Sequence, residues 1–257
     1  MPSTRDETAL GAGLARDEEA RLRRQMRIGR WLSPFWLPLA VGVLRWGFGW
    51  RIENAAELRD AYRQLRSESA APLLICANHL TLVDSFLVAS ALGSPGFYLR
   101  HYDALPWNLP ETTNFATTLW SRAGVYLMKS VPIRRGGARA EVAATLDRFS
   151  WLLRQGEAGL VFPEGGRSRS GRVDPESAAY GVGRVVKAIP ECRVLCVYLR
   201  GEKQDNWSAL PARGDRFRGA VAMIEPKSDR RGLRASLEIS RQIVTKLADL
   251  EREHFDR

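Results

Sequence analysis

Short, unbroken apolar runs alternate with longer segments whose apolar residues recur at helical spacing. Residues 72–77 and 158–162 are runs of the first kind and read as buried strands, and residues 193–200, with Val194, Leu195, Val197 and Leu199 apolar, also read as a strand. Residues 96–99, 125–133 and 217–225 read as further strands. Between them, residues 52–69 place Leu58, Tyr62 and Leu65 on one stripe, and residues 138–155 do the same with Val142, Leu146, Phe149 and Leu153. Residues 85–92, 115–123, 178–189 and 230–255 complete the set of predicted helices, and residues 101–114, with two prolines, read as loop. Strands and helices in alternation predict an α/β fold: a single domain with a central mixed, largely parallel sheet flanked by helices. No internal repeat and no linker divides it.

The N-terminal part departs from this pattern. Residues 1–15 are small and polar and are expected to be disordered. Residues 16–30 form a charged helix former, acidic at its start and arginine-rich toward its end, as the helix dipole favours. Residues 31–50 carry four of the eight tryptophans, at 31, 36, 46 and 50. Their uncharged part is shorter than the roughly 18 residues of a spanning helix, and Pro34 and Pro38 interrupt it. Tryptophans with flanking Arg30, Arg45 and Arg51 have the composition of a segment lying in a membrane interface. The reading is therefore a membrane-associating helical segment over 16–51, followed by the main domain over 52–257. A core-packing helix is the rival reading of the same residues.

Charge narrows the partners. The formal net charge of +10 points to an anionic one: nucleic acid, a membrane surface or a phosphorylated ligand. The three cysteines, Cys76, Cys192 and Cys196, all lie in strand-like runs and read as buried thiols of a reducing compartment.

Three stretches at strand ends can do chemistry: Asn78 to Asp84, Arg134-Arg135-Gly136-Gly137, and Glu164-Gly165-Gly166-Arg167. In one sheet they can converge on a single crevice. Neutral His79 can take a proton from a hydroxyl, while Asp84 accepts from the other ring nitrogen and fixes the tautomer. A structural histidine beside a helix-capping acid is the competing reading of that pair alone. The glycine-flanked arginines offer open backbone N–H groups and guanidinium forks, which is how a phosphate is held. No serine or cysteine is placed as a nucleophile by this pattern, so the nucleophile is expected on the substrate.

Asn78-His79-Leu80-Thr81-Leu82-Val83-Asp84 resembles the NHx(S/T)xxD signature of the glycerolipid acyltransferases, the lysophosphatidic-acid acyltransferase-like group. The ten residues from Phe162 to Gly171, FPEGGRSRSG, resemble that family's FPEGTRSRSG box. Val131-Pro132-Ile133-Arg134-Arg135 is similar to its short (I/V)P(I/V)xR segment. The order of the motifs and the interval of about 80 residues from Asp84 to Glu164 also agree. The resemblance covers residues 70–200. It implies transfer of a fatty acyl chain from acyl-CoA or acyl carrier protein to the hydroxyl of a lysophospholipid, with no bound cofactor or metal. By the same resemblance His79 is the general base and Asp84 its orienting partner. Arg135 and Arg167 bind the acceptor phosphate, Glu164 shapes the acceptor site, Asn78 supports the His79 loop, and backbone amides near Gly165 and Gly166 are oxyanion donors. The implied location is the cytoplasmic face of the cell membrane. Gly166 replaces the usual threonine, Arg134 an acid and Lys129 a glycine, the last two changes being expected to make the pocket more positive. The default acceptor is 1-acylglycerol-3-phosphate, with a lyso-ornithine lipid or another alcohol open. Rivals from other classes are a basic nucleic-acid-binding protein, for which no recognition motif is present, and a non-catalytic lipid-binding protein.

Overall fold

The two strongest apolar runs form the middle of the sheet. Strand β2 (Leu73–Ala77) pairs in parallel with β5 (Arg193–Gly201) on one side and with β4 (Gly159–Val161) on the other, with Cys76 opposite Cys196 and Val161. The computed structural model describes residues 14–112, 118–134 and 136–256. Residues 1–13, most of the segment expected to be disordered, lie outside it, as do residues 113–117 of one predicted helix. In the described residues the sheet has six strands, ordered β1-β6-β5-β2-β4-β3, where β1 is Arg51–Ile52, β3 is Trp107–Asn108 and β6 is Arg216–Ile224. Only β5 and β6 are antiparallel. The architecture is the mixed, mostly parallel α/β domain expected.

Alternation along β2 and β5 divides the core in two. Leu74, Cys76, Val194, Cys196 and Tyr198 face one layer, with Leu146, Phe149, Val185, Ile243 and Leu247. That layer consists of α6 (Arg139–Arg154), α7 (Tyr180–Ala188) and α8 (Gly232–Phe255). Leu73, Ile75, Ala77, Leu195 and Val197 face the other, with Leu58, Tyr62, Leu87 and Leu92. These come from α2 (Ala55–Glu68) and α3 (Asp84–Leu92). Cover on both faces is why these strands read as continuous rather than alternating apolar runs. Gly183 lets α7 and α8 touch: a Cβ there would lie 1.8 Å from the Ser236 carbonyl oxygen.

Two predicted strands are corrected. Residues 96–99 belong to a short helix, α4 (Pro95–Arg100), with Ser94 as its N-cap accepting from the Phe97 N–H and proline at its first position. A four-residue apolar run cannot distinguish strand from helix by period, and here the cap decides. Residues 125–127 continue a helix, α5 (Leu119–Leu127), and only Ser130 and Ile133 make isolated bridges, to Asn108 and Glu111.

Helix α1 runs from Arg16 to Gly42 and continues as a π-helical turn over Val43–Gly47. Both prolines lie inside it. Pro34 cannot donate to the Arg30 carbonyl, and the Ser33 hydroxyl does so instead at 2.7 Å. One stripe, Leu22, Gln25, Gly29, Ser33 and Leu37, is buried against the domain. Another stripe is turned outward: Trp31 (76% exposed), Phe35 (73%), Leu39 (68%), Val43 (46%) and Trp46 (80%). Its spacing of three and four keeps it on one side of the helix. Exposed Arg24, Arg27 and Arg30 precede it. No helix of the described residues is long and apolar enough to cross a membrane.

Candidate active site

Because β2 and β4 are parallel neighbours, the chain leaves both at the same edge of the sheet. The first departure gives Asn78 and His79, and the second gives Phe162 and Glu164. The Asn78 amide is spent on the backbone of β5, accepting from the Leu199 N–H at 2.8 Å and donating to the Leu199 carbonyl at 3.0 Å. It extends the β2–β5 pairing by one rung and fixes where the turn begins.

The turn then folds back on itself. Asp84 opens α3, where the helix dipole favours a carboxylate. Its Oδ2 lies 2.9 Å from His79 Nδ1 and accepts from the Leu80 N–H at 2.6 Å and the Thr81 N–H at 2.7 Å. Its Oδ1 accepts from the Thr81 hydroxyl. With Nδ1 carrying the hydrogen toward Asp84, Nε2 presents a lone pair, and it has no partner among the described residues. The imidazole stacks on Phe162 at 4.0 Å between ring centroids and 13° between planes. The His79 backbone is held as well. Its N–H donates to Glu164 Oε1 at 3.2 Å and its carbonyl accepts from the Ser168 N–H at 2.9 Å. From the far side, Leu82 N–H donates to Ala209 O and Ser208 N–H to Leu80 O, both at 3.1 Å, tying the turn to the loop before β6.

Burial pushes the Glu164 carboxyl up to about 8; the N–H donors of His79 and Asp174 oppose this, and the Glu251 carboxylate adds to it. Its neighbour Gly165 has φ +72°, and its N–H is taken by the Phe162 carbonyl at 3.0 Å. The N–H groups of Gly166 and Arg167 have no partner among the described residues. The chain just beyond the box is moored by Glu251 of α8. This buried carboxylate accepts from the Val173 N–H and the Tyr198 hydroxyl, each at 3.1 Å, and lies 3.5 Å from Arg172 and 3.7 Å from Arg200.

His79 opens on a cleft of about 820 Å³, a volume within the range that holds a drug-sized or lipid ligand. Gly166, Arg167 and Arg169 are among its polar lining, with Asn108, Glu111 and Ser130. Leu82, Phe86, Leu109, Pro110, Val125, Met128 and Phe162 line its apolar part. The guanidinium of Arg167 lies 4.9 Å over the ring of Trp207, which also lines the cleft. Ser85 lines the cleft too but makes no hydrogen bond with His79. Sequence reading missed Ser85, Trp207 and the apolar wall. Leu82 precedes α3, so helical spacing gave no signal for it, and Phe86 read only as one apolar residue of the predicted helix over 85–92.

The remaining candidates fall elsewhere. Arg135 lies outside the described residues, and Arg134 is exposed. Lys129 does not make the cleft more positive, because it is buried with its ammonium on Glu157 and on the Tyr102 carbonyl. Burial lowers it to about 8, with Glu157 opposing. Its φ of +50° is a conformation that glycine adopts more readily. Cys76 points into the core between the sheet and α6 to α8, and burial pushes its thiol up. His101 is exposed against Phe97, and His254 packs beside Tyr198 and Phe255. Among the described residues no group of three or more His, Cys, Asp or Glu could hold a metal ion.

A family model described as Acyltransferase matches residues 53–200, more than half of the chain. The match spans both strand-end loops. No curated protein sequence matches the chain.

Proposed function

The chain belongs to the acyltransferase family, and from that membership we propose that it moves a fatty acyl group from a thioester to the hydroxyl of a lysophospholipid, with 1-acylglycerol-3-phosphate the preferred acceptor. Acyl transfer from a thioester to a lipid acceptor follows from the family. The observation that carries the finer reading is the His79–Asp84 pair opening on a cleft lined by both apolar side chains and two arginines. A lysophospholipid with an anionic phosphate has that shape and polarity.

In this reading the acceptor hydroxyl gives its proton to His79 Nε2 as its oxygen attacks the thioester carbonyl carbon. The imidazolium is stabilised by Asp84. The tetrahedral oxyanion accepts from the free N–H groups of Gly166 and Arg167. The C–S bond then breaks, and the departing thiolate takes the proton back from Nε2. The products are the diacyl lipid and a free thiol, so no further reactant is needed. Arg167, held flat by Trp207, binds the acceptor phosphate, and Arg135 is assigned the same task. Glu164 works by fixing the backbone of His79, and Asn78 by fixing the start of its turn. Acyl-CoA and acyl carrier protein both suit a strongly basic chain as donors. The outward stripe from Trp31 to Trp46 supports attachment of α1 in a membrane interface. Three free thiols suit the cytoplasmic face.

The test is an acyl-transfer assay over a panel of lysolipids with both donors. Transfer to lysophosphatidic acid should exceed transfer to lyso-ornithine lipid and to uncharged monoacylglycerol. His79→Ala should abolish it, Ser85→Ala should leave it within a few fold, and Arg167→Ala should raise the acceptor KM. Full activity in His79→Ala would overturn the mechanism, loss in Ser85→Ala would place the nucleophile on the enzyme, and an unchanged KM in Arg167→Ala would remove the phosphate role.

A further inference from the structure

A second cavity, of about 240 Å³, lies where the end of α1 meets β1, α2 and α3. Arg45, Arg51 and Arg59 line it together with Leu44, Trp50 and Ser90, and none of its lining residues is acidic. Arg59 donates to the Ser90 carbonyl at 2.8 Å, but its Nε is buried without a partner among the described residues. An unmet donor of this kind is costly. Burial lowers the Arg59 guanidinium below its ordinary value, Tyr98 opposes that, and Arg45 and Arg63 push it the same way as burial. Nearby carboxylates are engaged elsewhere: Glu53 with Arg216, Asp60 with Arg63, and Glu57 with Asn54. Arg45 and Arg51 make no ion pair with the described residues. Arg45 and Arg59 thus repel each other at a small, partly apolar space that Arg51 also lines and no carboxylate lines.

We propose that this cavity binds the phosphate of an anionic phospholipid, as a site separate from the catalytic cleft. An anion would meet the open Arg59 donor and offset the mutual repulsion of the arginines. Its source is indicated by position. Arg45 belongs to the same helical turn as outward-facing Val43 and Trp46, so the cavity lies beside the apolar stripe. Leu44 and Trp50 give it walls suited to glycerol and the first carbons of a chain rather than to a free ion. The assignment rests on α1 lying in a membrane interface.

The full-length protein is tested by co-sedimentation with vesicles of phosphatidylcholine, alone or mixed with phosphatidylglycerol. Wild type should bind the mixed vesicles more tightly. Arg45→Gln with Arg59→Gln should lose roughly 30-fold on mixed vesicles, about fivefold per arginine, and nothing on phosphatidylcholine. Arg45→Gln alone, at an exposed position, should lose about fivefold and covers the case in which the double variant folds poorly. Arg231→Gln with Arg234→Gln removes the same charge elsewhere and should change nothing. Trp31→Ala with Trp46→Ala should weaken binding to both vesicles, and failure of that arm alone would refute the membrane reading. Retained preference in the cavity variants, or equal loss in the Arg231/Arg234 control, overturns the site. Thermal stabilisation of wild type but not of the cavity variant by inorganic phosphate, together with unchanged binding of the variant to mixed vesicles, would assign the site to a free ion and overturn the lipid.

Discussion

Replacing Asp84 by asparagine removes a charge while keeping the shape, and the surroundings of this carboxylate decide how the amide must sit. Oδ2 faces three N–H donors, from His79 Nδ1, Leu80 and Thr81, whereas Oδ1 faces only the Thr81 hydroxyl. An amide NH2 at the Oδ2 position would oppose three donors, at about 1–3 kcal/mol each. With the carbonyl oxygen there, all three keep an acceptor, and the hydroxyl of Thr81 can turn to receive the NH2. The second seating wins by several kcal/mol, so His79 keeps its tautomer. In a Ser-His-Asp triad, where the same substitution leaves the wrong tautomer, the rate falls about 10⁴-fold. Here only the charge is lost. An imidazolium about 4 Å from a carboxylate gains about 2–4 kcal/mol at an effective dielectric of roughly 20–40. Asp84→Asn should therefore lower kcat between about 30-fold and 1,000-fold.

The assay follows thiol release at saturating acceptor, beside urea unfolding read by tryptophan fluorescence. Weaker bonds to two backbone N–H groups should lower stability by about 2 kcal/mol. In a His79→Ala background Asp84→Asn should cost no further activity but should still lower stability, because the backbone donors remain. Activity as low as in His79→Ala would show that the amide sits the other way, and a wild-type rate would show that no imidazolium forms.

Glu164→Gln should reveal a titration. A carboxyl raised from 4.5 to about 8 contributes stability that is full below pH 4.5 and is lost as pH rises toward 8, with a slope of at most about 1.4 kcal/mol per pH unit. The stability of wild type minus that of the variant should fall across this window, and a flat difference would refute the burial argument. Lys129→Met should destabilise by about 3–5 kcal/mol, because Glu157 is left charged and buried. Adding Glu157→Gln should recover part of that, and additive losses would show that the pair is not coupled.

Much of this molecule is legible in its sequence because two-sided burial leaves a simple trace. Runs such as Leu73–Ala77 and Val194–Leu199 are apolar throughout, and the helices between them carry stripes. The His79 turn and the Phe162 loop stand out because polar residues follow directly on such runs. The two-residue strands β1 and β3 leave no period to detect. Their pairing depends on residues more than fifty positions away: Arg51 with Arg216, and Trp107 with Gly159. Pro34 and Pro38 read as interruptions because the bond supplied by Ser33 is a side-chain event. Lys129 and Trp207 were equally silent. A lysine beside apolar residues gives no notice of the buried Glu157 that receives it, and a tryptophan in a polar loop gives none of the arginine above it.

The carboxylate that moors the chain just beyond the basic loop comes from α8, the last helix of the described chain, and α1 is made before it. Synthesis therefore delivers the parts in a fixed order. A ribosome-bound chain carries the tryptophans of α1 and the residues of the Asp84 turn well before it carries Glu251. Until Glu251 arrives, Arg172 and Arg200 lack their shared acceptor and Val173 N–H lacks its partner. A nascent chain in this sense carries its address before it is armed: the residues that would seat it on a bilayer are present while the chain that follows the basic loop still lacks its anchor.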